Sequence, residues 1–208
     1  MPIRNSLTAI MAIATTAILA FAAPASASQV DMTNAAFAQV TGPASVPIGH
    51  AEFCKSHRAE CGPNKQAIDM TGLTEARWAQ LVDVNNGYNS SIVPETDEDL
   101  YKVAEYWAYP DGYGDCEDIA LAKRRALIAD GWNASTLLMT VVRESNGNGH
   151  AVLMVRTDRG DLVLDNQDSM IKLWSDTPYQ FLKRQSQANA GDWVDIADDR
   201  MMIVAAKN

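Results

Sequence analysis

The sequence is short of basic residues, histidine and cysteine, and each shortage narrows the possible functions. Its 208 residues include 17 Lys and Arg against 26 Asp and Glu, which gives a formal net charge of −9. Nucleic acids and anionic membrane surfaces are bound by basic surfaces, so we expect neither as a partner. With three histidines and three cysteines, the candidate nucleophiles, bases and soft metal ligands can be weighed individually.

Long apolar runs are also scarce, and the one present lies near the N-terminus. Ala9–Ala23 is almost unbroken, follows Arg4, and precedes the small-residue pattern ending at Ala27, which is typical of a secretory signal peptide. A retained membrane anchor is the alternative, but it needs about 20 apolar residues. We predict a signal peptide over residues 1–27, periplasmic or secreted localisation, and no membrane span in the mature chain. Residues 28–208 should form a single domain, with 28–47 loosely ordered.

The three cysteines divide into a close pair and a single thiol. Cys54 and Cys61 lie in one Pro/Gly-bounded segment, and in an oxidising compartment such a pair is read as a disulfide. Two free thiols, or a metal site with His50 and His57, are the alternatives, although zinc ligands usually have closer spacing. Pairing these two leaves Cys116, which is either reactive or buried and inert.

The order of helical and strand patterns predicts an α+β domain. Apolar residues recur at helical spacing over three stretches: Thr74–Asn89, Asp97–Trp107 and Asp115–Ala129. In the first stretch, Trp78 and Leu81 fall on the face that we expect to be buried. Strand-like segments follow at Thr136–Arg143, His150–Thr157, Asp161–Asp165, Trp193–Ile196 and Met201–Val204. The short connections indicate an antiparallel sheet, with the helix that begins at Asp115 packed on it.

Cys116 occupies a position that favours reactivity. It lies in the first turn of a predicted helix, where free backbone N–H groups and the helix dipole stabilise an anion and lower a thiol pKa. A buried, inert cysteine is more common in the middle of a helix on its apolar face than between Asp115 and Glu117. We interpret Cys116 as the candidate nucleophile.

His150 and Asp165 supply a candidate base and its orienting carboxylate. His150 opens one predicted strand and Asp165 ends the next, and these two ends are neighbours in an antiparallel hairpin. Each alone could serve only a loop or a turn, but together with Cys116 they form the arrangement needed for acyl transfer. A second oxyanion donor, besides the Cys116 backbone N–H, is expected from the region Asn85–Asn89.

Three motifs carry these residues: Gly114–Asp118 (GDCED), Gly149–Leu153 (GHAVL) and Leu162–Asn166 (LVLDN). In combination they resemble the bacterial transglutaminase-like cysteine peptidases, which include the LapG-type periplasmic proteases. The resemblance spans roughly Leu73 to Asn166 and implies a papain-like, transglutaminase-like core. It also implies that the catalytic residues are Cys116, His150 and Asp165.

Acidic residues surround the candidate nucleophile. Asp115, Glu117 and Asp118 would raise the thiol pKa by repulsion, although acidic residues in a first helical turn also favour the helix dipole. A hard cation with oxygen ligands, most simply Ca²⁺, would neutralise them. The resemblance implies calcium dependence, with Asp115 and Glu117 at ligand positions and Asp118 as an addition.

The predicted function is therefore an exported cysteine endopeptidase that forms a thioester intermediate. The resemblance implies a protein substrate, such as a large surface adhesin, and an inner-membrane regulatory receptor as a partner. Two alternatives remain open. The same triad could perform transglutaminase or amidase acyl transfer, or the fold could be a non-catalytic binding module.

Overall fold

The computed structural model describes residues 36–200. The predicted signal peptide, residues 28–35 and the predicted strand Met201–Val204 lie outside the described residues. Within this range, no helix is both long and apolar enough to cross a lipid bilayer.

The two longest α-helices of the described region, the second and the fourth, carry residues of the candidate site. In the order of the chain, the helices are α1 (Ile48–Ser56), α2 (Glu75–Ser91), α3 (Asp97–Tyr101) and α4 (Cys116–Ala129). Thr74 caps α2 by accepting a hydrogen bond from the Arg77 backbone N–H. Gly131, with φ +86°, follows α4 in the left-handed conformation that commonly ends a helix.

The main sheet has seven strands, all paired antiparallel. Its strands are β1 (Gln39–Ala44), β4 (Leu137–Arg143), β5 (Gly149–Thr157), β6 (Gly160–Leu164), β7 (Lys172–Leu173), β8 (Gln180–Gln185) and β9 (Trp193–Ala197). Their spatial order is β1-β9-β8-β4-β5-β6-β7. A separate parallel pair consists of β2 (Val93–Pro94) and β3 (Tyr113–Gly114).

The central strands are buried on both faces, which explains their uninterrupted apolar runs. One face of the sheet packs against α4, on which α2 packs in turn, and its core includes Leu137, Met139, Leu153 and Leu164. The alternating residues, among them Leu138, Val152, Met154 and Val163, form a second cluster on the opposite face. The predicted α+β class, with the cysteine-bearing helix packed on an antiparallel sheet, is confirmed.

Three expectations about local structure are wrong. Residues 39–44 of the predicted loose lead-in instead form the edge strand β1, because their backbone pairs with β9. The helix predicted over Asp97–Trp107 ends at Tyr101, where Lys102 adopts the left-handed conformation. Trp78, expected on the buried face of α2, is 40% exposed.

Candidate active site and acidic cluster

Cys116 is the first residue of α4 and faces the start of β5. Its Sγ accepts a hydrogen bond from the Ala151 backbone N–H at 3.4 Å and donates one to Oε2 of Glu117 at 3.0 Å. Burial, followed by the negative charge of Glu117, raises the pKa of the Cys116 thiol well above its usual value. The helix N-terminus alone was expected to lower this pKa, but burial and the neighbouring carboxylates outweigh it.

His150 and Asp165 form a buried, hydrogen-bonded pair. Nε2 of His150 lies 2.9 Å from Oδ1 of Asp165, and both side chains are almost fully buried. Oδ2 of Asp165 accepts a hydrogen bond from the Tyr179 hydroxyl at 2.5 Å, and Oδ1 accepts another from the Gln167 backbone N–H at 3.0 Å. Burial alone would raise the pKa of Asp165, but these hydrogen bonds outweigh it and lower the pKa. Asp165 is therefore ionised and holds His150 in one orientation.

The sheet register explains why these two residues meet. In the β5–β6 hairpin Leu153 pairs with Leu164, so the residue after β6 lies beside the beginning of β5. The contact expected from an antiparallel hairpin is present. It leaves Nδ1 of His150 as the ring nitrogen that can accept a proton, and Gln167 Nε2 lies 3.4 Å from it.

Cys116 and His150 line one cleft of about 470 Å³. Its walls include Trp107, Glu105 and the backbone around Ala151. Among the described residues, the hydrogen-bonding partners of Cys116 Sγ are Glu117 and Ala151, and the His150 ring is not one of them. The structure thus brings the predicted nucleophile and base to one cleft, with the thiol turned toward Glu117.

An acidic cluster includes residues on both sides of Cys116 in the sequence. Carboxylate oxygens of Asp97, Asp115 and Asp118 lie within 4.8 Å of one another. Each of the three residues has one buried oxygen without a hydrogen-bond partner in the described part of the chain. Burial is the largest cause that raises the pKa of all three, and it brings Asp118 to about 7. Orphaned, mutually repelling buried oxygens are what a hard cation would satisfy.

A glycine makes room for this cluster. A Cβ atom at Gly114 would lie 2.9 Å from Oδ2 of Asp118 and 3.1 Å from Cβ of Pro110. Oδ1 of Asp118 accepts a hydrogen bond from the Ala108 backbone N–H at 2.7 Å. Only a residue without a side chain fits here while the carboxylate keeps this position.

The structure divides the predicted metal ligands. Asp115 and Asp118 join Asp97, whereas Glu117 forms a different group with Asp115 and the Cys116 thiol. Burial, followed by the charge of Asp115, raises the pKa of Glu117. Asp97 was missed because it was interpreted only as the start of the helix predicted over Asp97–Trp107.

Side chains of α2 and α4 form hydrogen bonds with one another and with the backbone of Asp165. Nζ of Lys123 donates to Oδ1 of Asn85 at 2.8 Å, and Nδ2 of Asn89 donates to the Asp165 carbonyl oxygen at 2.7 Å. Burial lowers the pKa of Lys123 to about 7. Both amides are engaged in these contacts and do not line the cleft, so the structure gives no support to an oxyanion donor from this region.

The predicted disulfide between Cys54 and Cys61 is present, with Cα atoms 5.6 Å apart. Its sulfurs are therefore not thiolate ligands, which removes the metal alternative for this segment. His50 is buried beside the disulfide, where the Trp193 indole N–H donates to its Nδ1 at 3.1 Å. Burial, and then the charge of Arg124, lower the pKa of His50 to about 4, so it is a neutral core residue.

Comparison with known proteins gives one family. The family model of the bacterial transglutaminase-like cysteine proteinases (BTLCP) matches residues 40–201. No match was found among the curated proteins.

Solved structures of Legionella pneumophila LapG are similar to this chain. A calcium-bound structure is 26% identical, covers 62% of this chain and 75% of its own, and has a TM-score of 0.49. An EGTA-treated structure is 29% identical, covers 59% of this chain and 72% of its own, and has a TM-score of 0.48. Because the family model spans most of the sequence, this chain belongs to the bacterial transglutaminase-like cysteine proteinases and is a cysteine peptidase.

Proposed function

We propose that the protein is an exported cysteine endopeptidase whose catalytic triad is Cys116, His150 and Asp165. The observation that carries the proposal is the buried His150–Asp165 pair, whose side chains are 2.9 Å apart and whose His150 lines the same cleft as Cys116. Its geometry gives each residue a distinct chemical role, because Asp165 engages Nε2 of His150 and leaves Nδ1, 3.4 Å from the Gln167 amide nitrogen, as the proton acceptor.

The reaction divides into two acyl-transfer steps. His150 takes the thiol proton at Nδ1, and Cys116 Sγ attacks the carbonyl carbon of the peptide bond. The tetrahedral intermediate collapses to a thioester as His150 returns the proton to the departing amine. Water then attacks the thioester with His150 again as base, which releases the acid and regenerates the thiol. Asp165, held by Tyr179, stabilises the imidazolium that forms in each step.

We further propose that the acidic cluster binds Ca²⁺ through Asp97, Asp115 and Asp118. Their three orphaned buried oxygens support this assignment, and carboxylates are the ligands that calcium prefers. The ion would supply positive charge next to Cys116. This charge would oppose burial and the neighbouring carboxylates, which raise the pKa of the Cys116 thiol.

Two features support export. The N-terminal sequence has the signal-peptide pattern that ends near Ala27. The Cys54–Cys61 disulfide is typical of an oxidising compartment. A large surface adhesin as the substrate, and an inner-membrane receptor as the regulator, are proposed from the resemblance to LapG-type proteases.

Product analysis tests the proposed reaction. Exported adhesin-like proteins from the same organism are incubated with the wild type, Cys116→Ala or Cys116→Ser, in Ca²⁺ and in EGTA, and products are identified by mass spectrometry. New termini that require both Cys116 and Ca²⁺ are expected. Gln–Lys crosslinks would show transglutaminase activity instead. Turnover by Cys116→Ala would exclude the proposed nucleophile.

A further inference from the structure

A second cavity lies away from the catalytic cleft, beside the C-terminal half of α4. Its volume is about 480 Å³, which is in the range of small-molecule sites. It shares no lining residue with the cleft around Cys116. At a helical rise of about 1.5 Å per residue, Arg124 in its wall lies about 12 Å along α4 from Cys116.

Arg124 brings a buried positive charge to this cavity. The residue is only 4% exposed, and its Nε donates to the Leu137 carbonyl oxygen at 2.9 Å. Within residues 36–200, no carboxylate forms an ion pair with its guanidinium, and no acceptor is hydrogen-bonded to its two terminal nitrogens. Glu60 lies in the same wall and attracts Arg124 electrostatically, but it forms no ion pair with the guanidinium. A buried charge that is not paired directly with a carboxylate is costly, and arginine cannot escape the cost by losing its proton. The terminal nitrogens of Arg124 therefore lack a directly bound anion.

A second arginine is fixed at the same cavity. The Arg125 guanidinium lies 4.5 Å from the centre of the Tyr109 ring, which holds it by a cation–π contact. The Tyr109 hydroxyl donates to Oε2 of Glu60, so the nearby carboxylate is already engaged. Arg124 and Arg125 against Glu60 leave one excess positive charge at this cavity, in a chain whose net charge is −9.

We propose that this cavity binds a carboxylate group, carried either by a small organic acid or by an acidic side chain of a peptide. A single carboxylate would neutralise the excess charge, and its two oxygens match the planar fork of a guanidinium. A more highly charged anion would be repelled by Glu60. The proposal concerns a site separate from the triad and stands independently of the proposed function.

Isothermal titration calorimetry on the full-length protein tests this site with two matched pairs of probes. The small acid 3-phenylpropionate is compared with 3-phenylpropionamide, and the capped peptide acetyl-Ala-Glu-Ala-amide with its Gln counterpart. Arg125→Gln removes an exposed charge from the wall, and Ala59→Trp places a large side chain at the cavity from an exposed position. Arg58→Gln is the matched control, because Arg58 is exposed on the same turn but does not line the cavity.

At least one carboxylate probe should bind at millimolar concentrations or below, and its neutral amide should bind about tenfold more weakly or worse. Arg125→Gln should weaken binding about tenfold, Ala59→Trp should abolish it, and Arg58→Gln should leave it unchanged. The tighter probe identifies the source of the carboxylate. The proposal is overturned if neither acid saturates the protein, if the amides bind equally well, or if Arg58→Gln weakens binding as much as Arg125→Gln.

Discussion

Replacing Asp118 by Asn should stabilise the cation-free protein at alkaline pH. Asp118 is fully buried, and burial raises its pKa from 3.8 to about 7. Because its folded pKa lies above its unfolded pKa, the folded state binds more protons between these values and stability falls as pH rises. At about 1.4 kcal/mol per pKa unit, Asp118 alone should cost about 3 kcal/mol more at pH 8 than at pH 5. Asp118→Asn removes this cost and keeps an oxygen for the Ala108 N–H.

The assay is thermal unfolding of the wild type and Asp118→Asn at pH 5 and pH 8, in EGTA and in Ca²⁺. For a chain of 208 residues, about 3 kcal/mol corresponds to roughly 6–12 °C in Tm. The quantity to compare is the difference in Tm between the two proteins at each pH. His50, whose pKa is lowered to about 4, makes the stability of both proteins rise with pH below about 6.5, and this effect cancels in the difference.

In EGTA, the Tm of Asp118→Asn relative to the wild type should rise from pH 5 to pH 8. In Ca²⁺ the wild type should regain its stability at pH 8, and Asp118→Asn should gain much less. A difference between the two proteins that does not change with pH would refute the reasoning about the acidic cluster.

Two further substitutions test the site. Tyr179→Phe removes the 2.5 Å hydrogen bond to Asp165. We expect kcat/KM to fall about tenfold. An unchanged kcat/KM would show that this hydrogen bond does not orient the triad. Gly114→Ala places a Cβ 2.9 Å from the Asp118 carboxylate and should weaken Ca²⁺ binding, measured by calorimetry. Gly87→Ala is its control, since a Cβ there meets nothing within 4 Å and should add about 1 kcal/mol of helix stability. Equal calcium affinity in both variants would contradict the role of Gly114.

The contact between His150 and Asp165 could be predicted because it depends on local hairpin geometry. A short connection fixes the antiparallel partner, so the order of two strands places the start of one beside the end of the next. The position of Cys116 in the first turn of a predicted helix likewise identified it as the candidate nucleophile. The direction of the pKa shift of the Cys116 thiol could not be predicted, because burial and Glu117 raise this pKa whereas the helix dipole lowers it.

Asp97 could not be predicted because a tertiary contact brings it to the cluster. The parallel pair of Val93–Pro94 with Tyr113–Gly114 places the chain before Asp97 beside the chain before Asp115. Strands of two residues have no readable periodicity. The edge strand Gln39–Ala44 was missed for a similar reason, since its pairing with β9 joins distant parts of the chain.

Alkylation of Cys116 by iodoacetamide tests the proposed triad most directly. The rate is measured near neutral pH in Ca²⁺ and in EGTA for the wild type, His150→Ala and Asp165→Asn. The wild type in Ca²⁺ should react rapidly and stoichiometrically, and both EGTA and His150→Ala should slow the reaction about tenfold or more. A rate that is the same in the wild type and in His150→Ala would show that His150 does not activate Cys116.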